Sequence, residues 1–121
     1  MEEFRVEYTP KQKQALSCLN GNVQIIACAG SGKTQVISQR IVNILKEKRS
    51  TGVTPENVVA FTFTNKAANE LKNRIYKLCE EQMGTTQGLP LMYIGTIHAF
   101  CLNLLMKMLS GKNILSAWPK L

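Results

Sequence analysis

The sequence contains no aspartate: all eight acidic residues among its 121 are glutamate. That removes the short carboxylate that P-loop hydrolases place at the end of a strand to hold magnesium. There is one histidine, and Cys18, Cys28, Cys79 and Cys101 show no CxxC pairing, so no cluster with metal-ligand spacing can be drawn. Each cysteine lies in or beside an apolar segment, and all four are expected to be reduced and buried as small hydrophobes. No apolar run approaches the roughly 20 residues that cross a bilayer, and the opening MEEF lacks the basic and apolar regions of a signal peptide. No membrane partner and a cytoplasmic location are therefore expected.

What is present is the balance of a globular chain, with 45 % apolar and 19 % charged residues. The length suits one domain or part of one, with a modest core, and is short for a complete nucleotide-driven enzyme. Fifteen Lys and Arg give a net charge of +7, a field that favours anionic partners such as nucleic acid or nucleotides. A merely basic surface gives the same sum, because only Lys46, Lys48 and Arg49 cluster.

Thr9-Pro10 supplies an N-cap with proline at the first helical position, and Asn20-Gly21 a stop, so residues 10–19 read as a helix. NVQIIACA (22–29) reads as a buried strand. Val36, Ile37, Ile41, Ile44 and Leu45 then recur at helical spacing. NVVAFTF (57–63) is a second strand, followed by a helix striped with Ala67, Leu71, Ile75 and Leu78. LMYIGT (91–96) is a weaker third strand. Ile97, Phe100, Cys101, Leu104, Leu105 and Met108 line the last helix, with Gly111 as its stop. Strands alternating with long helices predict an α/β fold: a three-layer parallel sheet of about three strands with flanking helices.

ACAGSGKT (27–34) carries the chemistry. A Walker A loop is GxxxxGK[ST]; Ala27 stands where the first glycine is usual, followed by Cys28, Ala29, Gly30, Ser31, Gly32, Lys33 and Thr34. Gly30 and Gly32 permit torsions that turn successive backbone N–H groups toward phosphate oxygens. Lys33 reaches the β and γ phosphates, Thr34 offers its hydroxyl to Mg²⁺, and the following helix adds its positive end. A glycine-rich turn with an incidental lysine is the plainer alternative, and the strand-loop-helix order argues against it. Turnover is a separate matter: Glu47, Glu56, Glu70, Glu80 and Glu81 fall on helices or loops, so no acidic strand end is available and hydrolysis is expected to be slow or absent.

YTPKQKQAL, ACAGSGKT, FTFTNKAANEL and GTIHAFC, in that order over residues 7–108, resemble the start of the UvrD/Rep-type superfamily 1 DNA helicases. The resemblance implies a partial RecA-like P-loop NTPase domain over residues 1–121, with 1–22 as a glutamine-motif helix region and 112–121 as an irregular tail. It implies ATP with Mg²⁺ as cofactor and places Gln12 at the adenine, where its amide can both donate and accept. Read alone, Gln12 is a solvated helix residue. It also implies single-stranded DNA as partner, contacted by Phe63, Thr64, Asn65 and Lys66, and by Thr96 and His98. Phe63 can stack on any base, although on its own it reads as core; Thr64 and Thr96 read equally as N-caps, and His98 as a turn residue. Where Ile97 stands, the family often has Phe.

The family's acidic Walker B block, arginine-finger motifs and second motor domain do not occur in this sequence. The expectation is a truncated ATP-dependent helicase portion, inactive alone, that would meet a C-terminal helicase portion and self-associate through an exposed apolar helix stripe and sheet edge. Two rivals are a small P-loop enzyme such as a kinase, poorly served by four arginines and no aspartate, and a nucleic-acid module with an idle P-loop.

Overall fold

The computed structural model describes residues 6–28, 30 and 32–111. The chain runs α1 (Pro10–Ser17), α2 (Lys33–Glu47), β1 (Val59–Thr62), α3 (Asn65–Met83), β2 (Tyr93–Thr96) and α4 (Ile97–Leu109), with single 3₁₀ turns at Arg49–Thr51, Pro55–Asn57 and Leu89–Leu91. The expected tail at 112–121 lies outside the described residues.

Local chemistry accounts for the helix ends. Thr9 caps α1, and Gln12 reaches back to the Thr9 N–H to close a capping box, with Pro10 opening the first turn. Thr64 and Thr96 cap α3 and α4 through their hydroxyls. Gly84, at φ 67°, ends α3 in the left-handed conformation that glycine reaches without a Cβ clash.

Among the described residues the sheet has two strands, β1 and β2, parallel and in register from Val59↔Tyr93 to Thr62↔Thr96. The third strand expected at 22–29 does not form among the described residues: 22–28 lead to the loop with no ladder partner. A cavity of about 470 Å³, lined by Val23 and Ile25 on one side and Val59 and Phe61 on the other, separates this segment from β1. A strand exists only where a neighbouring backbone accepts and donates its hydrogen bonds. Across that gap none does, and Ile26 is left 90 % exposed.

The core is the seam of α2 on α3. Ile41, Val42 and Leu45 meet Leu71, Ile75, Leu78 and Cys79, and Leu89 and Met92 close the same cluster. Burial pushes the Cys79 thiol above its ordinary value. Cys18, Cys28 and Cys101 are exposed, contrary to the expectation of four buried thiols. For Cys101 the apolar neighbours are themselves uncovered: on α4 only Phe100 is buried, while Leu102, Leu105, Met106, Met108 and Leu109 face outward.

Phe61, Tyr93 and Phe100 form an edge-to-face triad, with ring centroids 4.9 Å apart for Phe61–Phe100 and 5.0 Å for Tyr93–Phe100. Burial first, and the Cys101 thiol second, raise the Tyr93 phenol above its ordinary value. The protonated phenol donates to the Thr96 carbonyl at 3.0 Å, so the ring lies along its own strand. Gly95 makes that possible, since a Cβ there would sit 2.7 Å from the phenol oxygen. Gly95→Ala is therefore expected to displace the ring and destabilise the fold by about 1–3 kcal/mol, read as a lowered urea midpoint; an unchanged midpoint would refute this packing.

Candidate functional site

The loop at 27–34 bends where glycine allows it. Gly30 and Gly32 sit at φ 76° and 81°, in the left-handed region that a Cβ penalises. Ala27 needs no such freedom: no residue other than glycine has positive φ among those described. Alanine at this position therefore costs no torsional strain. Ala29 and Ser31 lie outside the described residues.

Gly32 is the N-cap of α2 and, having no side chain, leaves the first-turn N–H groups without a side-chain cap. There is no acidic residue in that first turn. Fifteen residues of aligned peptide dipoles thus end in an uncapped positive pole. Lys33 Nζ folds across the loop and donates to the Ala27 carbonyl at 3.2 Å. An ammonium, helix amides without a side-chain cap and the Thr34 hydroxyl all belong to the first turn of α2, which is a donor set that suits phosphate and a phosphate-bound divalent ion. These residues fit a magnesium nucleotide.

Gln12 closes one side. Its Oε1 accepts the Thr9 N–H at 2.9 Å, and a Cβ built on Gly32 would lie 3.5 Å from its Nε2. Thr9, Gln12, Ile26, Ala27 and Lys33 share one cavity of about 270 Å³. Gln12 is thus both a cap and a wall of the loop cavity, a double use that spacing alone did not reveal.

The second group gathers at the carboxyl ends of the strands. Because Thr62 pairs with Thr96, the turn after β1 and the turn after β2 lie side by side, each opening a helix. Phe63 is 93 % exposed, which removes the core alternative. Asn65, Lys66 and His98 are exposed as well. Thr64 Oγ1 accepts the Ala67 N–H at 3.1 Å and Thr96 Oγ1 accepts the Ala99 N–H at 3.2 Å. Capping uses acceptor capacity only, so each hydroxyl proton remains a donor. Thr34, in the first turn of α2, and Thr62, at the end of β1, line the same cavity.

Several side chains around the site were not singled out from the sequence. Arg40 Nη1 donates to the carbonyls of Ala15, at 2.7 Å, and of Cys18, satisfying the C-terminal end of α1. Tyr8, Gln35, Gln39, Arg74 and Gln82 form a chain of hydrogen bonds behind the loop. Gln35, Gln39 and Asn43 recur at every fourth residue of α2, a spacing that marks one face of the helix and could have flagged them.

The family model described as UvrD/REP helicase N-terminal domain matches residues 8–119. The chain is 41 % identical over 95 residues to ATP-dependent DNA helicase PcrA of Staphylococcus aureus, covering 78 % of this chain and 12 % of that protein. It is 40 % identical over 97 residues to a probable DNA helicase of Mycoplasma pneumoniae, covering 80 % of this chain and 17 % of the relative. An ATP-dependent helicase/nuclease of Levilactobacillus brevis is 35 % identical over 117 residues, covering 85 % and 9 %. The chain thus spans a small fraction of the length of these relatives.

The exposure of Phe63 has a direct consequence for stability. Phe63→Ala should leave the thermal midpoint within the change produced by about 0.5 kcal/mol, as for surface positions generally; a large drop would show that the ring is part of the core.

Proposed function

The chain belongs to the UvrD/REP helicase N-terminal domain family, and on that premise we propose that it is the ATP-binding and single-stranded-DNA-contacting leading part of an ATP-dependent DNA helicase. The observation that carries this reading is an uncapped phosphate-type loop whose first helical turn shares a cavity with the end of β1, beside which the end of β2 lies.

In this reading the amides of the loop and α2 hold the triphosphate, Lys33 neutralises its outer phosphates, and Thr34 contributes to the magnesium shell. Magnesium supplies charge neutralisation between the phosphates when bound. Gln12 meets the adenine edge. Phe63 stacks on a base, while Thr64, Asn65 and Lys66 with Thr96 and His98 grip the backbone, which makes recognition independent of sequence. Glu47, Glu56, Glu70, Glu80 and Glu81 lie on α2, a 3₁₀ turn or α3 rather than at the end of a strand. No carboxylate among them is placed to complete the magnesium shell or orient water, so the chain by itself holds ATP but turns it over slowly or not at all.

The cavity beside Val23 and Ile25 and the bare faces of α4 are where a longer polypeptide would add a strand and helices. In the isolated chain those surfaces favour self-association. Sedimentation velocity across a concentration series should show species larger than monomer; a clean monomer at high concentration would contradict that.

Binding tests the central claim. Lys33→Ala should weaken a non-hydrolysable ATP analogue by about 1.5–3 kcal/mol, the loss expected for a charged hydrogen-bonding group. Phe63→Ala should weaken oligo-dT by about 1–3 kcal/mol, and parent affinity for DNA should fall as salt rises. Parent-like nucleotide affinity in the lysine variant would remove the phosphate reading, and unchanged oligo-dT affinity in the phenylalanine variant would remove the DNA reading.

A further inference from the structure

The polar chain behind the loop has a direction imposed by chemistry. Arg74 only donates, and its Nη1 gives a hydrogen bond to Gln35 Oε1 at 3.0 Å, while Nη2 meets Glu70 at 3.2 Å. The carbonyl of the Gln35 amide is thereby turned toward Arg74, so its Nε2 donates to the Tyr8 hydroxyl at 3.1 Å. With its lone pair engaged, that hydroxyl sends its own proton to Gln39 Oε1 at 3.4 Å. Gln39 is 7 % exposed. It pairs reciprocally with Gln82, at 2.8 Å each way, and donates to Asn43 at 2.9 Å.

Every amide and hydroxyl of the chain has one consistent orientation. Reversing an amide would set donor against donor or acceptor against acceptor, and at Gln39, the buried member, it would leave a polar group unmet. Tyr8 is the one residue of this chain outside α2 and α3. It immediately precedes the Thr9–Gln12 capping box.

Leu16 is the one buried residue of α1, and Arg40 grips the carbonyls at its far end. The end that carries Gln12 is tied to α2 through the Tyr8 hydroxyl.

We propose that Tyr8 is a positioning residue for base recognition: oriented by the Arg74–Gln35 pair, its hydroxyl fixes the capping box so that the Gln12 amide stands over Gly32 at the edge of adenine. This rests on the adenine role proposed for Gln12. Adenine offers a donor at N6 where guanine offers an acceptor at O6, so a fixed amide separates the two bases and a swinging one does not. The triphosphate is held by the loop and does not depend on the tether.

The test measures dissociation constants for ATP, GTP and inorganic tripolyphosphate by calorimetry on the full chain and on Gln12→Ala, Tyr8→Phe and Arg74→Met. Gln12→Ala is expected to erase the preference for ATP over GTP. Tyr8→Phe is expected to weaken ATP about threefold to tenfold, the factor one hydrogen bond is worth, with GTP and tripolyphosphate unmoved. A parent-like ATP-to-GTP ratio in Tyr8→Phe, against a collapsed ratio in Gln12→Ala, overturns the positioning role alone. Equal loss for all three ligands overturns it too, because general loosening of the fold has that signature. A parent with no base preference, or a Gln12→Ala variant that keeps it, removes the adenine role and this proposal with it. Should Tyr8→Phe lose the helical circular dichroism of the parent, the ratio in Arg74→Met decides by the same criteria.

Discussion

The seam of α2 on α3 is the interaction on which the rest of the molecule depends. Val42 and Ile75 are fully buried there, with Leu45 and Cys79 beside them, and each large aliphatic side chain removed from water contributes on the order of 1.5–3 kcal/mol. The seam fixes α2 as a rigid post. Its first turn is the floor of the phosphate-type loop, its polar face carries the amide chain to Tyr8, and its Arg40 satisfies the end of α1. Through α3 the same seam positions the turn after β1, because α3 begins at that turn. Loop and strand ends are thus held by one body of packed side chains.

At the loop before α2 the fold leaves backbone groups open by using glycine geometry rather than side-chain caps. Glycine at the N-cap of α2 leaves the helix pole open, where the threonines of α1, α3 and α4 close theirs. Opposite choices at equivalent positions separate a helix start that is left open from helix starts that are self-satisfied. The aromatic triad plays the complementary part. By locking β1, β2 and α4 together through Phe61, Tyr93 and Phe100, it sets the relative position of the two turns that carry Phe63 and His98.

Much of the architecture is legible in the sequence because it is written in short-range chemistry. Thr9-Pro10 starts α1, Thr64 and Thr96 start α3 and α4, Gly111 follows α4, and the apolar stripe of α3 buries Leu71, Ile75 and Leu78 as its spacing requires. The alternation of helix and strand correctly gives a mixed α/β arrangement with parallel pairing. The expected strand at 22–29 is the instructive failure. Val23, Ile25 and Ile26 have strand character, but a ladder is made by two backbones, and a sequence window contains only one. The same limit explains the cysteines: Cys101 sits in an apolar helix, yet nothing among the described residues covers that face.

The candidate site divides along the same line. Residue identity alone determined the local form of the loop, since its glycines take up left-handed turns and Lys33 and Thr34 open the helix that follows wherever the chain goes next. It also determined the helix caps, which are settled within four residues. Only the tertiary structure decided that Gln12 faces Gly32, that Phe63 is outside the core, that the turns after β1 and β2 adjoin, and that Tyr8 is wired to Arg74 across α2. Those are contacts between residues as many as 39 positions apart. Their geometry is set by how α2 and α3 pack, and packing is a property of two surfaces meeting rather than of either one read along the chain.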